Sequence, residues 1–209
     1  RRGRTERTSR TPNAMNDTTA PPERTLRIKN MVCRRCIMAV RSELERLGLE
    51  PLRVGLGVAV LPEPPSAETL EAVREALRPL GFELLGDRRA QTVERIRNAV
   101  VEWVHYGGGD PNVNLSDYLS ERLGRDYDSL SRLFSEATGT TIEKYLTAQK
   151  IERAKELLVY GEMTLAEIAD ALRYASAAYF SARFKSVTGM TPGAFRRLGG
   201  CRRKPLDEV

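Results

Sequence analysis

Apolar residues along this chain follow two periods, and the changeover falls near residue 88. Before it, TLRIKN at 25–30 alternates as a strand does, and LRVGL and GVAVL at 52–61 are short β-rich runs about Gly57. Between these runs, 36–48 carries Ile37, Val40, Leu44 and Leu47 at the spacing that puts side chains on one helix face. SAETLEAVREALRPLG at 66–81 reads as a second helix with a Ser cap, and FELLG at 82–86 as a closing strand. The predicted order is βαββαβ. After the changeover the period is helical throughout. Val93, Ile96, Val100 and Val104 mark a helix over 89–106, and LSRLFSEATGTTIEKY at 130–145 is answered by FSARFKSVTGMTPGAF at 180–195 with Ser, Phe, Thr, Gly and Thr in register.

Each repeat carries an apolar pair four residues apart, Leu130 with Phe134 and Phe180 with Phe184, so each helix should dock by that stripe. Gly139 and Gly189 stand where a C-terminal cap needs a left-handed residue, and Thr141 and Thr191 then open the next helices, with Pro192 in a first turn. A shorter amphipathic helix precedes each copy, marked by Leu115, Leu119 and Leu123, then by Leu165, Ile168 and Leu172. Both pairs read as helix, short turn, helix, and TIEKYLTAQKIERAKELLV joins them as one long helix. The expected fold is an α+β N-terminal ferredoxin-like βαββαβ domain at 24–87, followed by an all-α domain at 88–198 with two helix-turn-helix units joined by a long helix. Residues 1–23, rich in Arg, Thr and Pro, read as a disordered basic tail in which Met15 is the expected natural start, and 199–209 as a basic C-terminal tail.

The helical half resembles the AraC-type transcription regulators through LSRLF, TIEKYLTAQKIERAKELL, TLAEIADAL, YFSARFK and TGMTPGAFRR, over roughly 89–198. The resemblance implies two DNA-reading helices and double-stranded DNA as partner. In the first it places the reading positions on Asp128, Ser131 and Arg132, of which Arg132 suits bidentate recognition of guanine. A surface pair of Arg132 with Glu136 is the competing reading. The second offers Ala177, Ala178, Tyr179 and Ala182, which make almost no hydrogen bonds to base edges, so it is expected to read thymine methyls or DNA shape and backbone, with Arg183 and Lys185 near phosphate and Thr191 at the next helix start. The usual Gly of its turn is Arg173, which could add a phosphate contact.

Charge refines this picture. The net charge is +6, yet residues 87–209 hold 19 basic against 17 acidic groups, so cations must be segregated onto one face to attract phosphate. Arg196, Arg197, Arg202, Arg203 and Lys204 form the evident basic cluster.

The loop after the first strand, Asn30-Met31-Val32-Cys33-Arg34-Arg35-Cys36, resembles the MxCxxC loop of heavy-metal-associated domains over 25–86, with Asn30 where that family has Gly. The expected metal ligands are Cys33 and Cys36. Thiolates near a helix N-terminus have depressed pKa values and select Cu(I) or another soft ion, and two cysteines do not complete a tetrahedral zinc site. CxxC equally suits a thiol-redox pair or an inert relic, but the order of elements and Met31 favour metal. Cys201 reads as a free surface thiol in the tail.

His105, the only histidine, and the glycines at 107–109 read as a helix end and a loop, and Trp103 as packing. With no partner base for the cysteines, no catalytic constellation stands out, and the chain is not expected to be an enzyme. Three cysteines suit a reducing compartment; with no long apolar span and no secretory core, the expected location is the cytoplasm and no membrane is expected as partner. The resulting expectation is a DNA-binding transcription regulator that responds to Cu(I). The alternative is a copper-trafficking or thiol-redox protein with a metal-delivery partner, its helical half serving as a protein-docking module. The oligomeric state is open.

Overall fold

The structure is a computed structural model that describes residues 22–107 and 113–198. The predicted tail at 1–23 therefore lies outside the described residues, except for Pro22–Arg24, which form one short 3-10 turn rather than irregular chain. Cys201, the cluster at Arg202, Arg203 and Lys204, and most of the glycine run at 107–109 also lie outside them.

The N-terminal elements are β1 (Thr25–Lys29), α1 (Arg34–Arg46), β2 (Arg53–Gly55), β3 (Val58–Val60), α2 (Ala67–Leu77) and β4 (Glu83–Leu84). The four strands form one sheet in the order β2-β3-β1-β4, with all neighbouring pairs antiparallel and Leu26 opposite Ala59, Val54 opposite Ala59 and Ile28 opposite Leu84. Alternation drives Leu26, Ile28, Val54 and Ala59 into a core with Val40 and Leu44 of α1 and Val73 and Leu77 of α2. Two boundaries differ from expectation. α1 starts two residues earlier, at Arg34, because Cys33 takes the cap position. The last turn of the second helix tightens to 3-10 over Arg78–Leu80, where Pro79 supplies no donor.

The helical half comprises α3 (Arg88–His105), α4 (Leu115–Leu123), α5 (Tyr127–Thr138), α6 (Ile142–Tyr160), α7 (Leu165–Ala171), α8 (Ala177–Thr188) and α9 (Pro192–Arg197). One core joins Val93, Ile96 and Val100 of α3 to Leu119, Leu130, Phe134, Ile142 and Tyr145; a second joins Ile151, Ala154 and Leu158 of α6 to Ile168, Phe180, Phe184 and Phe195. The N-terminal half of α6 thus closes one unit and its C-terminal half the other.

α3 is buried on two sides. Val93, Ile96 and Val100 face the first core, while Glu94, Asn98 and Val101, spaced four and three apart, are buried on a different face and belong to neither helical core. That second face meets the N-terminal sheet: Asn30 donates its backbone N–H to Glu94 Oε1 at 3.0 Å, and a Cβ on Gly57 would lie 2.0 Å from Asn98 Nδ2. Gly57 is therefore required both by its φ of 70° and by the helix packed over it.

Candidate nucleic-acid interface and thiol loop

The two helix pairs are built from the same local chemistry. Asp126 caps α5 by accepting from Ser129 N at 2.8 Å, and Ser176 caps α8 by accepting from Tyr179 N at 3.1 Å. At the far ends, Thr138 Oγ1 donates to Phe134 O at 2.7 Å and accepts from Thr140 N at 3.3 Å; Thr188 Oγ1 repeats both bonds with Phe184 O at 2.8 Å and Met190 N at 3.3 Å. Gly139 and Gly189 then adopt φ of 70° and 80°, and Thr141 and Thr191 cap α6 and α9. Shared Thr-Gly-Thr residues in the sequence are thus the hardware that ends one helix and starts the next. Thr191 sits at an exposed helix start with its hydroxyl engaged as a cap.

With Leu130 and Phe134 inward, α5 turns Asp128 and Arg132 outward, with Ser131 partly covered beside them. Glu136 is ion-paired with Arg89 at 2.8 Å, so the expected competing pair with Arg132 is replaced by a bond to α3. Arg132 instead contributes positive charge near Asp126, whose carboxyl is held below its usual range first by hydrogen bonding to Ser129 and then by that charge. On α8 the inward Phe180 and Phe184 leave Ala178, Tyr179, Ala182, Arg183 and Lys185 exposed, with Ala177 half-covered. Tyr179 is 58% exposed, a large ring held out to solvent at the helix start.

Arg173 is exposed and at the same time engaged with a ring. It adopts φ of 55° in the turn before α8, and its guanidinium lies 4.1 Å from the centroid of Trp103 on α3. Trp103 also packs on Tyr118 of α4, with ring centroids 4.7 Å apart. Packing was the expected role of Trp103, but the sequence does not reveal that the packing joins three elements. His105 ends α3, as expected, and its Nε2 lies 3.1 Å from Gln149 Oε1 of α6.

At the other end of the molecule Cys33 and Cys36 place their Sγ atoms 3.2 Å apart at the start of α1. Burial raises both thiols, but hydrogen bonding with Cys36 and the Arg35 charge bring Cys33 below the usual range, while bonding to Cys33 pushes Cys36 further up. The two thiols of the pair are thus shifted in opposite directions. Among the described residues no group of three His, Cys, Asp or Glu side chains converges here or elsewhere. Asn30, standing where glycine is usual, has φ of 69° and donates its side-chain amide to Gly81 O at 2.9 Å. Asparagine tolerates this left-handed conformation better than other side chains. The loop is also held from α3's end: Tyr106 donates its hydroxyl to Val32 O at 3.1 Å. Burial, and then the nearby Cys33 and Cys36, raise the Tyr106 pKa.

Sequence reasoning missed Glu94, Asn98, Tyr106 and the Arg173–Trp103 stack. The available signal was Val101, an apolar residue on the face of α3 away from the first core, with Glu94 and Asn98 in line with it.

Residues 119–198 match the helix-turn-helix domain family. Proteins similar to the chain over this region are described as transcriptional regulators. The uncharacterized transcriptional regulatory protein YesN of Bacillus subtilis is 34% identical over 94 residues, 44% of this chain and 26% of that protein. The xylose operon regulatory protein of Escherichia coli is 29% identical over 99 residues, 47% of this chain and 25% of that protein. The chain thus spans only about a quarter of the length of these relatives. Among solved structures, the C-terminal domain of AraT, a response regulator from Geobacillus stearothermophilus, is similar at 28% identity and a TM-score of 0.45, over 57% of this chain and 92% of that one. Among the described residues no helix is long and apolar enough to cross a membrane.

Proposed function

We propose that this chain is a transcription regulator of the cytoplasm that binds double-stranded DNA through α5 and α8, and that its N-terminal half is a ferredoxin-like, heavy-metal-associated unit reporting a soft monovalent metal to that DNA-binding half. The observation that carries the reading is the grip of α3 on both sides: its Glu94 and Tyr106 hold the thiol loop, and its Val93, Ile96 and Val100 belong to the core of the first helix pair.

Cys33 and Cys36 would hold the metal, and the chemistry of the donor set fits: two soft sulfurs 3.2 Å apart suit Cu(I) better than a hard or tetrahedral ion. A bound ion supplies positive charge that keeps both thiols deprotonated. The protein's own part is to order Asn30 and Val32 against Glu94 and Tyr106, and so bias the position of α3. A ligand changes DNA affinity only in so far as it prefers one arrangement. In DNA recognition, Arg132 reads a base edge while Arg183 and Lys185 meet phosphate, an assignment that rests on their exposure and on the family resemblance.

Binding-site selection on genomic fragments provides the DNA, and anisotropy titration with and without one equivalent of Cu(I), on wild type, Cys33→Ser and Cys36→Ser, provides the test. Coupling of the usual size would shift wild-type affinity roughly 5- to 150-fold and leave both variants unmoved. Equal affinity in all samples would sink the metal response. Failure to bind any DNA, with copper passing to an acceptor domain, would replace the reading by copper trafficking. The grip of α3 on the loop favours sensing, because a hand-off loop must open towards its acceptor.

A further inference from the structure

Among the described residues, two non-glycine side chains adopt positive φ, Asn30 in the thiol loop and Arg173 in the turn before α8. Both are held by α3: Asn30 through its N–H to Glu94, and Arg173 through the stack on Trp103. An arginine in the left-handed region is strained and persists only where its surroundings hold it there. Here they do so at several atoms. The Arg173 N–H is bonded to Asp170 O at 2.8 Å, its carbonyl accepts from Lys150 Nζ of α6 at 3.5 Å, and its guanidinium covers Trp103. The small cavity at this point is lined by Trp103, Val104, Lys150, Ala171, Leu172 and Arg173, so α3, α6 and the turn meet there.

We propose that the Arg173–Trp103 stack is a positioning joint: it fixes the direction of α8 relative to α3, and hence to α5, and it is the point at which the state of the thiol loop reaches the second reading helix. Its significance for recognition rests on the DNA-binding reading above. Apart from this joint, the second unit hangs on α6, whose C-terminal half supplies its core, and touches α3 at Val104. Trp103 lies in the last turn of α3 and Tyr106 is the cap residue that ends it, so a shift of the helix end against Val32 moves the ring under Arg173. The stack is therefore a lever arm short enough to transmit a small displacement, because packed interfaces shift between discrete arrangements rather than deforming smoothly.

The test uses the full chain with spin labels on non-natural side chains at exposed Ala137 of α5 and Ser186 of α8, so that the cysteines stay native. Wild type and Trp103→Phe, which keeps an aromatic face, should give one narrow distance distribution. Arg173→Gly, which suits the left-handed turn and removes the stack alone, and Trp103→Leu, which removes the ring from both Arg173 and Tyr118, should both broaden it about twofold or more while circular dichroism shows native helix content. One equivalent of Cu(I) should shift the wild-type distance and leave the broadened Arg173→Gly distribution unmoved. An unchanged distribution in both Arg173→Gly and Trp103→Leu overturns the joint. Absence of DNA binding by the wild type would remove the recognition reading alone, since the distance measurement needs no DNA.

Discussion

In the first helix pair the turn is made by Gly124 at φ 65°, with nothing within 4 Å of where a side chain would start; in the second the corresponding bend is Arg173 at φ 55°, stacked on a ring 70 residues away in sequence. Elsewhere the two units share the Thr138 and Thr188 hydroxyl bonds and the aromatic pairs Phe134–Tyr145 and Phe184–Phe195. The difference teaches that two units can share their packing while their turns are held in different ways. The first unit is tied to α3 by a hydrophobic core, so its turn carries no burden. The second has a core of its own and meets α3 at Val104 and through the stack of Arg173 on Trp103. A residue that is unfavourable in isolation has become the tether.

The packing half of this comparison predicts the largest effects. Phe134→Ala and Phe184→Ala should each cost about 3–5 kcal/mol in denaturant unfolding, because both rings are fully buried in matched cores. A loss well below that in only one variant would show that the cores are not equivalent. The turn half predicts a reversal of sign in expectation. Gly124→Arg should cost about 1–2 kcal/mol, having no partner to hold the left-handed arginine, whereas Arg173→Gly should stay within about 1 kcal/mol of wild type as relief of strain offsets the lost stack. Similar losses in both would mean that the stack contributes far more than the strain it relieves.

A smaller effect tests the other grip of α3. Burial raises the Glu94 carboxyl above its ordinary value, against the Asn30 N–H and the Arg97 and Lys29 charges that lower it, while Glu83 raises it again. An acid whose folded pKa is raised stabilises the fold fully only below its unfolded value of 4.5, and that contribution is lost as pH rises through the folded value. Glu94→Gln keeps an acceptor for Asn30 without the charge. Its melting temperature should therefore gain on wild type as pH is raised from 4 to 7, and a constant difference across that range would contradict a buried, reluctant carboxylate.

Much of this was legible because periodicity reports burial on one side. Leu130, Phe134, Phe180 and Phe184 were predicted as the inward stripe and are fully buried, and the CxxC loop was placed at a helix start where Cys33 caps α1. α3 was legible only in part. Its stripe of Val93, Ile96, Val100 and Val104 signals one partner, but its second contact surface is carried by Glu94 and Asn98, polar residues that usually mark solvent. Their burial follows from hydrogen bonds and close backbone approach to residues 64 and 41 positions away in the chain, Asn30 and Gly57, which no local pattern encodes. Arg173 was noticed as a departure from glycine, yet a phosphate contact was the expectation. The ring that its guanidinium covers, Trp103, lies in α3, which the sequence presents only as the first helix of that half.

We propose that one scaffold is used twice, with bases read by the first copy and backbone held by the second. The most direct test is site selection followed by salt-dependent anisotropy on Arg132→Ala and Arg183→Ala. Arg132→Ala should relax preference at one base position by about 1–3 kcal/mol and leave binding to other sequences little changed. Arg183→Ala should weaken binding to all sequences alike and lower the slope of log affinity against log salt by about 1. A changed consensus in Arg183→Ala, with Arg132→Ala retaining the wild-type consensus, would contradict the division of labour.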